Sequence, residues 1–199
     1  MNVAATFVNY YSMTPTISGH SEFNVLTPLE GYALWAISAE PLAGRLKSIL
    51  HTLSHRYNTT LFPPHITILS VKVGDKEQLK AHCKALANSF SSFDICFDKI
   101  GESDSVYRCL YLLPNQSDDL YNLHNCAKRI LSLNEPDNYF PHLSLIYGAI
   151  PQQEKENVKK VLQQILPLEG TINSLALWSI NETPEQWREL AIFPLRAVH

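Results

Sequence analysis

No stretch of the sequence reaches the roughly 20 consecutive apolar residues that a membrane-spanning helix needs, so no membrane partner is expected. Positive charge is scarce as well. Sixteen Lys and Arg stand against 19 Asp and Glu, a formal net charge of −3. Wrapping a long nucleic acid requires a basic stripe, and this balance argues against one. A pocket for a small anion stays open. The seven glycines are scattered, and none builds the turn of a phosphate loop or a dinucleotide fingerprint. The four cysteines (Cys83, Cys96, Cys109 and Cys126) form no C-x-x-C pair and no zinc-type spacing. No metal or other cofactor is expected, and for Cys96 and Cys109, which sit in apolar runs, a small buried thiol is the default. A basic segment followed by an apolar one is missing near Met1, so no secretory leader is expected and a cytoplasmic setting is the simplest.

What is present is a 199-residue chain with 45% hydrophobic residues, enough for one substantial core. Residues 1–28 show no clear pattern and are set apart as an N-terminal extension of unknown role; residues 29–199 are read as a single domain, a monomer by default. The stretch GYALWAIS reads as a strand. After Pro41, Leu42, Leu46, Ile49, Leu50, Leu53 and Tyr57 fall on one helical stripe. A strand with PHITILS follows, then a helix capped by Asp75. Two strands, FDICFDKIG and VYRCLYLLP, flank the turn ESDS. A helix from near Ser117, the turn NEPDN, the strand YFPHLSLIYG, a helix opened by Pro151, and two last strands complete the order. Helices interleaved with directly consecutive strands point to the α+β class with largely antiparallel sheets.

One pattern recurs. FPPHITIL (62–69) and YFPHLSLI (139–146) align as aromatic, any, Pro, His, apolar, hydroxyl, apolar, apolar. Side chains alternate along a strand, so His65 and Thr67 share a face, as do His142 and Ser144. Two such strands suggest a cleft with pseudo-twofold symmetry, lined by two imidazoles and two hydroxyls. An imidazole titrates near neutrality, so one can serve as base while the other serves as acid. The hydroxyls can donate hydrogen bonds to an oxyanion. A phosphodiester fits this set: its free oxygens need donors and its leaving alkoxide needs a proton.

The paired PHIT and PHLS resemble the signature of the two-histidine (2H) phosphoesterase superfamily. Around them YALWAIS, RCLYLL, YFPHLSLIYG and LALWSINET…W…LAIFPL are similar to its plant and yeast cyclic phosphodiesterase branch, over roughly residues 31–195. The resemblance implies a bilobal α+β fold with two antiparallel sheets backed by helices around a central cleft. It implies metal-independent hydrolysis of ADP-ribose 1″,2″-cyclic phosphate or nucleoside 2′,3′-cyclic phosphates to a phosphomonoester. His65, Thr67, His142 and Ser144 map onto the catalytic residues, and Trp35, Tyr147 and Tyr107 onto a nucleotide-binding wall. The sequence leans to His142 activating water and His65 protonating the leaving oxygen.

Two other functions use the same site: cleavage of 2′,5′-oligoadenylate or RNA ends, with a short oligonucleotide as partner, and non-catalytic nucleotide binding. Strand alternation alone turns Tyr147 away from the His142 face unless the strand twists or bulges there. Arg108 reads as a solvated strand residue. His51 and His55 read as an exposed helix face, Trp178 and Trp187 as packing residues, and His82 and His124 have no evident partner.

Overall fold

A computed structural model describes residues 26, 28–116, 118–133 and 138–197. The extension assigned to residues 1–28 therefore lies almost wholly outside the described residues, as do Ser117 and most of the NEPDN turn. Strand β1 (Tyr32–Ser38) leads into α1 (Leu42–Tyr57), which buries Leu42, Leu46, Ile49, Leu50 and Leu53 and ends at Asn58, whose φ of 49° is left-handed. Then come β2 (Ile66–Val71) and α2 (Lys76–Ser89), whose first turn is capped by the Asp75 carboxylate accepting from the Gln78 N–H at 2.8 Å. Next are β3 (Phe93–Glu102), β4 (Leu110–Pro114), α3 (Asp118–Ile130), β5 (Leu143–Ile146), α4 (Gln152–Gln163), β6 (Leu168–Ser179) and β7 (Arg188–Pro194).

The strands form one sheet, and every pairing between them is antiparallel. Six strands follow one another around a ring, β1–β2–β5–β4–β3–β6 and back to β1, with β7 outside on β6. The two antiparallel sheets expected from sequence are thus halves of one. They are joined through β6 and, at the other side, by a single residue pair, Ile66 with Leu143. Helices back both halves: α1 packs on β1, β5 and β6, α3 on β2, α2 on β6 and β7, and α4 on β3.

Two strands are shorter than the sequence suggests. Val106–Arg108 belong to a turn, not to β4, because the Ser103 side chain competes with the ladder. Its hydroxyl donates to the Arg108 carbonyl at 2.7 Å, while the Arg108 N–H donates to the Ser105 carbonyl at 2.9 Å. Strand β5 covers only Leu143–Ile146. Pro141 has no N–H to give to a ladder, and Gly148, at φ 131°, turns the chain away after Tyr147.

Candidate active site

The Ile66–Leu143 pair sets the geometry. Continuing that antiparallel register one step each way puts His65 opposite Ser144, and Thr67 opposite His142. Ile66 and Leu143, both 1% exposed, point into the core, so the four polar side chains turn to the other face. There they line one cavity of about 230 Å³, together with Trp35, Tyr107 and Tyr147. All seven residues expected from the sequence meet in that one space.

Each histidine is held by the carbonyl two residues before it. His65 Nδ1 lies 2.6 Å from the Pro63 oxygen and His142 Nδ1 lies 2.7 Å from the Phe140 oxygen. A carbonyl only accepts, so Nδ1 carries the proton in both rings and Nε2 is the atom left for chemistry. Tyr147 brings its hydroxyl to 3.4 Å from His65 Nε2, a long contact in which the phenol is the donor to the neutral ring. The Ser144 hydroxyl donates to the Tyr107 carbonyl at 3.0 Å. The Thr67 hydroxyl has no partner among the described residues.

The neighbouring strands add an aromatic to each histidine by the same rule of register. Trp35 on β1 is paired with Thr67 and lies flat on His65, centroids 3.6 Å apart with planes 9° from parallel. Tyr111 on β4 is paired with Ser144 and meets His142 edge-on, at 5.4 Å and 70°. Gly101 makes room for Tyr111: a Cβ there would come within 2.3 Å of the tyrosine ring. Burial separates the two imidazoles. His65 is 5% exposed, and burial lowers its pKa to about 4, against the pull of the Pro63 carbonyl and with a smaller push from the charge of His142. His142 is half-buried. Its pKa is also lowered, first by burial and then by the Arg108 charge, with the Phe140 carbonyl opposing.

Several expectations change in detail. Trp35 borders the cavity, but Trp178 stacks on it at 4.5 Å in addition to His65. Two rings lying flat this close cannot share one face of an indole, so both faces are covered and none is free for a base. Tyr147 enters the cleft because β5 has ended: it makes an isolated bridge to Thr60 and packs on Phe62 at 3.5 Å. Trp187 packs, as expected, but also borders the cavity, as do Leu29, Ser70 and Ile180. Trp187 sits in the segment joining β6 to β7, and long-range contacts draw that segment over the site: the pairing of Leu29 with Glu182, the Gly31 N–H to the Asn181 side chain and the Thr60 hydroxyl to Glu185. No local pattern marks it. Arg108 is half-buried in a turn rather than a solvated strand residue. His51 and His55 are exposed, as read. His124 is buried, with Nδ1 2.7 Å from the Ile68 carbonyl and its ring stacked on Tyr139, which ties α3 to β2.

A family model described as the 2′-5′ RNA ligase superfamily matches residues 36–184, a span that holds both histidine strands. The chain belongs to that superfamily. It is a two-histidine phosphoesterase, and so a phosphodiesterase. It is similar to a cyclic phosphodiesterase of Arabidopsis thaliana, 22% identical over 168 residues, covering 81% of this chain and 93% of the relative. A 2′,3′-cyclic-nucleotide 3′-phosphodiesterase of Phaeosphaeria nodorum is 27% identical over 150 residues, covering 67% and 77%. Among solved structures, TT0787 of Thermus thermophilus shares the fold at TM-score 0.59 and 15% identity, covering 85% of this chain and all of that one. E. coli LigT complexed with 3′-AMP shares it at TM-score 0.55 and 14% identity, covering 85% and 99%.

Proposed function

We propose that this two-histidine phosphoesterase hydrolyses a cyclic phosphate on ribose to a phosphomonoester, with no metal needed. Nucleoside 2′,3′-cyclic phosphates and ADP-ribose 1″,2″-cyclic phosphate are the substrates. The observation that carries the reading is the seam at Ile66 and Leu143, which sets two imidazoles and two hydroxyls around one cavity. The names of the curated relatives support the cyclic substrate. The four cysteines are unpaired, which agrees with a reducing, cytoplasmic setting.

The unequal burial of the two rings favours roles opposite to the sequence lean, because His65 is the harder of the two to protonate. With its pKa near 4, His65 is neutral at pH 7, and Nε2 presents a lone pair to the cavity. It takes the proton of water as the water oxygen bonds to phosphorus. One ribose P–O bond breaks, and His142, half open to solvent and protonated on both nitrogens in its acid form, gives the Nε2 proton to the departing alkoxide. The phosphate stays on the other ribose oxygen as a monoester. Thr67 and Ser144 bind the non-bridging oxygens; for Ser144 this means rotating its hydroxyl off the Tyr107 carbonyl. The deciding experiment offers the purified protein, with EDTA present, cyclic nucleotides, ADP-ribose cyclic phosphate and 2′,5′-oligoadenylate. Turnover of the cyclic compounds is expected. Cleavage of oligoadenylate alone, or binding without turnover, would replace this reading.

A further inference from the structure

We propose that Arg108 forms an anionic subsite on the His142 rim of the cavity, where it binds a second phosphate of the substrate that is not itself hydrolysed. The inference rests on the cyclic-phosphate reading and narrows it. The preferred substrates are nucleotides that carry a 5′-phosphate or diphosphate beside the cyclic phosphate.

The turn that carries Arg108 is fixed at several points. Ser103 Oγ binds the Arg108 carbonyl, the Ser103 N–H binds the Cys109 carbonyl, the Gly148 N–H binds the Val106 carbonyl at 2.7 Å, and Ser144 Oγ binds the Tyr107 carbonyl. These bonds fix the backbone from which the guanidinium extends. It rests on two aromatic faces, 5.2 Å from the Phe140 centroid and 5.6 Å from the Tyr111 centroid. These same two rings flank His142, each with its centroid 5.4 Å from the imidazole. No carboxylate pairs with Arg108 among the described residues. Its Nε is buried with no hydrogen-bond partner. A permanent cation with five donors is thus held beside the two rings that flank His142, with its charge unmatched.

Two arguments say what matches it. Arg108 is not part of the cavity wall, so the reacting phosphate, placed among the four catalytic groups, is out of its province. The cavity, at about 230 Å³, is smaller than the usual ligand pocket, so part of a nucleotide must extend over the rim. There Phe140 is 41% exposed beside Arg108. Second, a bare cation opposes a proton on His142, the group assigned to give one. An anion bound at Arg108 removes that opposition and makes the pairing of a cation with the acid sensible.

The test compares adenosine 2′,3′-cyclic phosphate with the same compound bearing a 5′-phosphate, on wild type, Arg108→Gln and Arg108→Lys. A charge-assisted contact of about 1.5–3 kcal/mol corresponds to a preference of at least about tenfold. Wild type should favour the 5′-phosphorylated substrate by that factor in kcat/KM. Arg108→Gln should abolish the preference, and Arg108→Lys should keep part of it. Equal losses on both substrates, or a preference that survives Arg108→Gln, would overturn the subsite. If wild type turns over neither compound, the catalytic reading has failed, and calorimetry with AMP and adenosine decides the subsite independently. Weaker AMP binding in Arg108→Gln, with adenosine unaffected, supports it; equal AMP binding overturns it. Thermal unfolding of each variant confirms that the fold is intact.

Discussion

The half of the site around His65 and the half around His142 share a backbone plan and differ in everything packed on it. Both place a proline before the histidine, a carbonyl on Nδ1, a hydroxyl two residues on, and an aromatic from the neighbouring strand beside the ring. Around His65 the aromatic is a tryptophan lying face to face, backed by a second tryptophan, and the histidine is 5% exposed. Around His142 it is a tyrosine edge, an exposed phenylalanine and an arginine, and the ring is half open. Duplicated backbone fixes where the two nitrogens go. The unequal packing decides which of them is harder to protonate.

The sharpest way to break this comparison is to remove each imidazole in turn. His65→Ala and His142→Ala should each lower kcat on a cyclic phosphate by at least about 10²-fold. The two halves then separate on a p-nitrophenyl phosphodiester, whose phenolate leaves without a proton. His142→Ala should recover most of its loss there and His65→Ala should not; the reverse pattern would exchange their roles. The hydroxyls come next. Thr67→Val and Ser144→Ala should each cost roughly 10- to 100-fold in kcat/KM. Only Ser144→Ala should also lower the melting temperature, since the Tyr107 carbonyl loses its donor.

Stability against pH probes burial directly. The folded-state pKa of His65 lies below its unfolded value, so the unfolded chain binds the extra proton between pH 6.5 and about 4. Stability from this group is intact above pH 6.5 and falls as pH drops toward 4, by about 3 kcal/mol in all. His65→Gln should flatten that slope in urea titrations, and His142→Gln should flatten it less. The smallest effect is expected from Tyr147→Phe. It keeps the stacking on Phe62 and removes only a long hydrogen bond to His65 Nε2, so kcat should fall a few-fold with the fold unchanged.

Much of this was legible in the chain itself. The stripe Leu42, Leu46, Ile49, Leu50 and Leu53 announced α1, and Asp75 announced the start of α2. The alternation in PHITIL put His65 and Thr67 on one face. The turn ESDS was legible, but its extension through Val106–Arg108 was not, because Ser103 acts through a side-chain hydrogen bond that no periodicity records. Without that turn, neither Arg108 nor the exposed neighbourhood of Phe140 could be placed. Tyr111 was equally hidden, since only the β4–β5 register sets it against Ser144.

By itself the sequence determined the chemical inventory and its local direction: two imidazoles and two hydroxyls, each pair on one side of a strand, because side chains alternate with a period of two. Only the tertiary structure decided that the two strands meet at Ile66 and Leu143, that one histidine is buried and the other half open, and that an arginine lies beside the second. Those are contacts between residues distant in the chain, and burial and charge depend on what packs from elsewhere.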